Sequence, residues 1–210
     1  MTTTITRLTD SCLLVETEAG TTLFDPGFFT WDSGKFDLET LGDVQRVLVT
    51  HEHPDHVKPE FVRWLIDRGV DVTVHSNDPV AALLAPHGID VMTDVPAGVS
   101  FEDVTHGMTP WGSAPPNRAF TIDGVLTHPG DSYEVTATAP VLALPLLVLW
   151  GSTTESVAFA RRLRPKQLVT VHDFYMSSYG RQRLMGMVKD ILAPDGIELV
   201  PLDWGESYTV

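Results

Sequence analysis

The sequence predicts an α/β domain with a mixed sheet, on three observations. A β-meander opens the chain, strand and helix patterns alternate after it, and the second half repeats the plan more loosely. The meander consists of short β-type runs at 4–9, 11–17 and 21–25, with the Ala19-Gly20 turn between the last two. Asp25-Pro26-Gly27 closes it as a turn. Residues 47–50 then form a compact apolar strand that runs directly into a histidine-rich loop.

Pro59 opens a helix with Phe61, Trp64, Leu65 and Arg68 on one face, and Gly69 stops it. A strand at 72–75 and a helix at 79–86 follow. In the second half, strands are expected at 101–105, 119–123, 125–128 and 141–144. Ser152-Thr153-Thr154-Glu155 has the spacing of a capping box and starts a helix that runs to Leu163. Residues 167–171 form a strand ending at His172, and a last helix at 181–192 puts Leu184, Val188 and Ile191 on one side. Two β-rich halves, each carrying helices, imply a four-layer α-β-β-α sandwich in one domain, residues 1–210. Periodicity alone gives an α/β class with a mixed sheet.

Composition limits the function classes. A chain of 210 residues can bury a sizeable core without staples, and 43% hydrophobic with 20% charged residues is ordinary for a soluble globular protein. One cysteine, Cys12, excludes an intrachain disulfide and suits a reducing compartment; it reads as a core residue within an apolar strand. The amino terminus, Met1-Thr2-Thr3-Thr4, lacks the basic and apolar regions of a signal peptide, so a cytoplasmic location is expected. The apolar stretch 141–150 is too short to span a bilayer and is interrupted by Pro145. With 14 basic against 28 acidic residues and a net charge of −14, a nucleic-acid partner is disfavoured and a small-molecule substrate expected. The sequence leaves the oligomeric state open.

The strongest chemical signal is His51-Glu52-His53-Pro54-Asp55-His56. Imidazole nitrogen and carboxylate oxygen are the donors that zinc and similar borderline ions prefer. A segment leaving a strand can aim His51 and His53 alike, because alternate side chains point the same way. Pro54 breaks the regular structure and lets Asp55 and His56 turn toward a second position. The competing reading, a solvated histidine loop in an acidic protein, fits poorly with this spacing directly after an apolar strand. The loop is not the metalloprotease H-E-x-x-H pattern, because residue 55 is aspartate. Further candidate ligands stand at other strand ends: His106, Asp131 in His128-Pro129-Gly130-Asp131, and His172.

In ordered combination, H-x-H-x-D-H, a distant His, a Gly-Asp and a final His resemble the signature of the metallo-β-lactamase superfamily. The likeness runs from the Asp25-Pro26-Gly27 turn to the closing helix. Through 50–56, His128-Pro129-Gly130-Asp131-Ser132 and Val171-His172-Asp173, the chain looks most like simple hydrolases akin to ascorbate-6-phosphate lactonase. The resemblance implies the metallo-β-lactamase fold and two divalent metal ions, zinc first, with manganese and iron also allowed by a thiolate-free ligand set. It implies His51, His53 and His106 on one metal, Asp55, His56 and His172 on the other, and Asp131 bridging both. His128 competes with His106; the separate loop before Gly-Asp favours His106 as ligand and His128 as a supporting group.

The reaction so implied is hydrolysis of a small ester, lactone or phosphoester by a metal-activated water, with Asp55 both ligating and orienting it. A phosphodiesterase or nuclease, and a member that binds metal or ligand without turnover, are the alternatives. β-Lactamase activity itself is not expected without an export signal. The remaining candidates read as structural or undecided. His75 and His87 are assigned structural roles. Phe28, Phe29, Trp31 and Trp111 either wall a pocket or only pack, and Asp25 either supports the metal loop or merely forms the turn. The apolar run 144–151 suggests a greasier pocket than a sugar phosphate would need.

Overall fold

A computed structural model describes residues 2–68 and 71–210 of the chain. It divides into two compact units, Met1–Gly98 with Asp203–Val210, and Val99–Leu202. Each is built on one six-stranded mixed sheet carrying helices, in keeping with the α/β class expected.

In the first unit, β1 (Thr4–Arg7), β2 (Leu13–Thr17) and β3 (Gly20–Phe24) form the antiparallel meander. β4 (Arg46–Leu48) and β5 (Thr73–His75) extend it in parallel. The first two strands are shorter than their β-type runs because Asp10 takes a left-handed backbone, φ 55°, and the chain turns there. Leu8 N–H donates to Cys12 O and Cys12 N–H to Thr9 O, both at 3.0 Å. Cys12 therefore lies in the turn rather than inside a strand, although it is buried as expected. Burial pushes its thiol pKa far up, and a hydrogen bond with the Thr30 side chain works against that shift.

After the Asp25-Pro26-Gly27 turn comes α1 (Phe28–Asp32), a short helix not expected from periodicity. α2 (Pro59–Asp67) starts on Pro59, where a missing backbone N–H costs nothing. It buries Phe61, Val62 and Leu65, and the half-buried Trp64 meets Trp31 edge-on at 5.9 Å. The stop assigned to Gly69 lies outside the described residues. α3 (Asp78–Leu84) is capped by Asn77, whose side chain accepts the Val80 N–H at 3.2 Å; a 3₁₀ turn at Ala85–His87 continues it. The C-terminal β12 (Ser207–Thr209) returns to pair with β1. Leu23, Val47, Phe61, Val74, Val80 and Leu84 belong to this unit's core.

The second unit begins with the long hairpin of β6 (Val99–Thr105) and β7 (Pro116–Ile122). β8 (Leu126–His128) runs antiparallel to β7, and β9 (Val141–Pro145), β10 (Gln167–Val171) and β11 (Glu198–Leu199) follow in parallel. Because β6 and β8 flank the antiparallel β7, the carboxyl ends of β6, β8, β9 and β10 share one edge of the sheet. That edge carries His106, Asp131 and His172.

α4 (Thr153–Leu163) starts where the capping box places it: Ser152 Oγ accepts the Glu155 N–H and donates to the Glu155 carboxylate. α5 (Ser178–Leu192) starts three residues earlier than expected, because Ser177 caps it by accepting the Gly180 N–H at 3.1 Å. Its buried stripe is Arg181, Met185, Val188 and Leu192, whereas Leu184 is only half-buried and Ile191 exposed. Both stripes contain Val188; packing against the sheet, where Thr170 Oγ lies 3.4 Å from the Met185 sulfur, selects the one with Met185 and Leu192. No helix among the described residues is long and apolar enough to cross a membrane.

The helix face is testable by denaturant unfolding. Leu192→Ala should cost about 2–5 kcal/mol, and Ile191→Ala under about 1 kcal/mol. Cys12 should resist an aromatic disulfide reagent in the folded protein and release one equivalent of chromophore once the chain is unfolded.

Candidate metal centre

The first unit supplies one cluster from a single loop. Val49 N–H still makes a ladder bond to His75 O of β5, but the next donor leaves the ladder: Thr50 N–H reaches the Asp25 carboxylate at 2.8 Å. Asp25 is fully buried with φ 46°, and its carboxylate also accepts from Thr50 Oγ at 2.9 Å and His56 Nδ1 at 2.7 Å. His51 Nδ1 lies 3.1 Å from Thr50 Oγ, whose own hydrogen is committed to Asp25. This network assigns the Nδ1–H tautomer to both His51 and His56 and leaves each Nε2 lone pair for a ligand. His51 Nε2 and His53 Nδ1 stand 3.0 Å apart, so two imidazole donors already converge. The Asp55 carboxylate lies 3.8 Å from His56 Nε2 and keeps 28% of its side-chain surface exposed.

The loop is clamped by the turn that precedes α1. Phe28 N–H donates to Pro54 O, Lys58 N–H to Pro26 O, and Ser11 Oγ to Asp55 O. Gly27 is required there, since a Cβ would sit 1.8 Å from the Asp55 carbonyl oxygen.

The second unit brings His106, Asp131 and His172 together, all buried. Asp131 stands between the two imidazoles: its Oδ1 is 2.7 Å from His172 Nε2 and its Oδ2 is 3.1 Å from His106 Nε2. His106 Nδ1 bonds the carbonyl of Gly107, which again leaves Nε2 as the donor atom. The Asp131 backbone is fixed by Asn117, which accepts its N–H at 3.0 Å and donates to Pro129 O at 2.8 Å. Trp150 donates its indole N–H to Asp131 Oδ2 at 2.7 Å, and its ring covers Gly107 so closely that a Cβ there would lie 2.1 Å away. His172 takes a left-handed backbone, φ 59°, with the buried Arg181 guanidinium 3.9 Å from the neighbouring Asp173 carboxylate.

The other candidates fall outside these clusters. His128 is a β8 residue opposite Phe120, and its Nδ1 accepts the Gly130 N–H at 3.1 Å. His75 is held between Asp94 O and Thr73 Oγ, which is the structural role expected of it. Exposed His87 closes a 3₁₀ turn. Phe29 is buried, and Trp31 packs on Phe61 and Trp64 in the first core. Trp111 is exposed. Beside Trp150, Tyr133 bonds Ser156, and burial pushes its phenol pKa up to about 12.

The supporting residues Asn117 and Trp150 carry no sequence signal of that role, whereas Thr50 had one in its place between the strand and the first histidine. Their weight can be measured. Trp150→Phe and Asp25→Asn should each weaken zinc binding about 10–100-fold in a chelator competition, with the far-ultraviolet circular dichroism unchanged.

Residues 5–91 match the model of the metallo-beta-lactamase superfamily. Protein Rv0786c of Mycobacterium tuberculosis is 24% identical over 203 residues, covering 91% of this chain and 93% of that protein. Among solved structures, Igni18, a metallo hydrolase from the archaeon Ignicoccus hospitalis, superposes with a TM-score of 0.72 at 16% identity, over 100% of this chain and 99% of that one. CmlA, a diiron β-hydroxylase from Streptomyces venezuelae, gives 0.71 at 14% identity, over 99% of this chain and 54% of that one. At such identities the structural likeness is one of fold. Residues 5–91 are thus similar to the metallo-beta-lactamase superfamily, and the fold is the metallo-β-lactamase fold.

Proposed function

We propose that the chain is a metal-dependent hydrolase in which the two units act as a single domain and the two clusters share one pair of divalent ions, zinc by preference. The observation that carries this reading is the Asp131 carboxylate held between two imidazole Nε2 atoms, the posture of a bridging ligand. Three histidines with Nδ1 committed to neighbouring oxygen atoms, and a donor set of nitrogen and carboxylate oxygen without thiolate, fit such ions. On this reading His51, His53 and His106 would hold one ion and Asp55, His56 and His172 the other, with Asp131 in reach of both groups. Bound there, the ions would acidify a water and polarise the scissile centre.

The chain's own residues do the rest. Asp25 and Thr50 hold His51 and His56 in one tautomer and one orientation. Asn117 holds the Asp131 backbone and Trp150 its Oδ2, so that the carboxylate is oriented before the reaction begins. Asp55, still partly exposed, takes a proton from the attacking water and returns it to the leaving-group oxygen. The substrate is a small ester, lactone or phosphoester, in line with the resemblance to simple lactonases. The protein acts in the cytoplasm, and the net charge of −14 argues against a nucleic-acid partner.

Elemental analysis of protein purified without added metal should find about two metal equivalents per chain. These should be lost in His53→Ala/Asp55→Ala, and Asp55→Ala alone should lower ester or lactone turnover by about 100-fold or more. Retained turnover in Asp55→Ala would remove Asp55 from the mechanism. A wild-type protein that takes up neither zinc nor manganese would overturn the hydrolase reading.

A further inference from the structure

The strand ends that carry the second cluster lead into loops of one composition. Residues 107–115 follow His106, residues 146–152 follow β9 and include Trp150, and residues 174–180 follow His172 and Asp173. None of these three stretches contains an Asp, Glu, Lys or Arg, in a chain whose charged fraction is 20%. They hold Met108, Trp111, Leu147, Leu149, Tyr175 and Tyr179, which are six of the twelve exposed large apolar side chains among the described residues. Trp111 and Tyr179 are 68% and 75% exposed. Singly exposed apolar residues are ordinary, but their concentration on one sheet edge marks an interaction surface. The topology puts all three stretches at the carboxyl-end edge that bears His106, Asp131 and His172.

Beyond the charge that bound ions would supply at the reacting centre, the same loops offer an anionic substrate no cationic side chain. A phosphate or carboxylate is recognised by Arg, Lys or clustered backbone N–H groups, and no cationic side chain occurs in any of the three. With a net charge of −14, the rest of the chain adds no general attraction for anions. Aromatic and thioether side chains offer large, adaptable apolar contact area instead.

We infer that the substrate is a neutral, apolar ester or lactone, and that its non-reacting part rests on Met108, Trp111, Leu147, Leu149, Tyr175 and Tyr179. This deepens the hydrolase reading and rests on it; it sets aside phosphoesters and sugar phosphates. In the reaction, the water oxygen bonds to the carbonyl carbon and the carbon–oxygen bond of the leaving group breaks. The water proton ends on the leaving oxygen, and no redox partner is needed.

The test compares p-nitrophenyl acetate, p-nitrophenyl octanoate and bis(p-nitrophenyl) phosphate on the metal-loaded protein. The octanoate should exceed the acetate in kcat/KM by about tenfold or more, with the phosphate diester slowest. Trp111→Ala/Leu149→Ala should raise KM for the octanoate about tenfold and change kcat less. Independently, calorimetry on metal-free protein should find that wild type binds octananilide, a neutral amide of the same shape, and that the double variant binds it about tenfold more weakly. Equal kcat/KM for acetate and octanoate, preference for the diester, or unchanged octananilide affinity in the variant would overturn the inference. So would a dimer dissociated by Trp111→Asp with chain-length selectivity unchanged, since the loops would then be a subunit contact. Octananilide binding without turnover of any ester would instead remove the hydrolase reading and leave the apolar site standing.

Discussion

The Asp25 carboxylate fixes the histidine loop. A carboxylate buried without partners costs several kcal/mol, and here three donors meet it: Thr50 N–H, Thr50 Oγ and His56 Nδ1. Those three bonds have three consequences. The first ends the β4 ladder at the right residue, the second aligns Thr50 so that His51 can donate to it, and the third sets the His56 tautomer. The left-handed backbone at Asp25 and the Gly27 contact with Asp55 O allow the turn to approach this closely. The loop's chemistry thus depends on a residue about thirty positions earlier in the chain.

The second unit solves the same problem in another way. Asp131 is placed by backbone and amide bonds through Asn117, and its Oδ2 receives the Trp150 indole N–H. Trp150 can reach only because residue 107 has no side chain. An indole gives one directed hydrogen bond and a large apolar face, so it orients the carboxylate while shielding that oxygen from water. Shielding matters because charge interactions strengthen as solvent is excluded. The apolar loops on the same sheet edge continue this character outward, from a dry carboxylate to a surface suited to an uncharged ligand.

Where local chemistry dominates, the structure follows the sequence closely. Ser152 and Glu155 cap α4, Pro59 opens α2, and the apolar runs at β9 and β10 become buried parallel strands. Departures occur where a distant partner decides. β12 is three residues of polar character that become a strand only by pairing with β1. The α5 face rotates to the stripe that the sheet accepts, and Asp10 turns the chain inside a run that reads as strand.

What the sequence by itself determined is the inventory of candidate ligands and its order: His51, His53, Asp55 and His56 in one loop, then His106, Asp131 and His172 at later strand ends. Ligand identity is a property of side-chain chemistry, and position after an apolar strand is local, so both can be read along the chain. Only the tertiary structure decided how those side chains are aimed. Thr50 and Asp25 set the tautomers, and Trp150 and Asn117 hold Asp131 between two imidazoles. These are hydrogen bonds between residues 14 to 25 positions apart or more, such as Thr50 with Asp25, Asp131 with Asn117 and Trp150 with Asp131. Periodicity carries no information at that range, because such bonds form only after the sheets have brought their strand ends together.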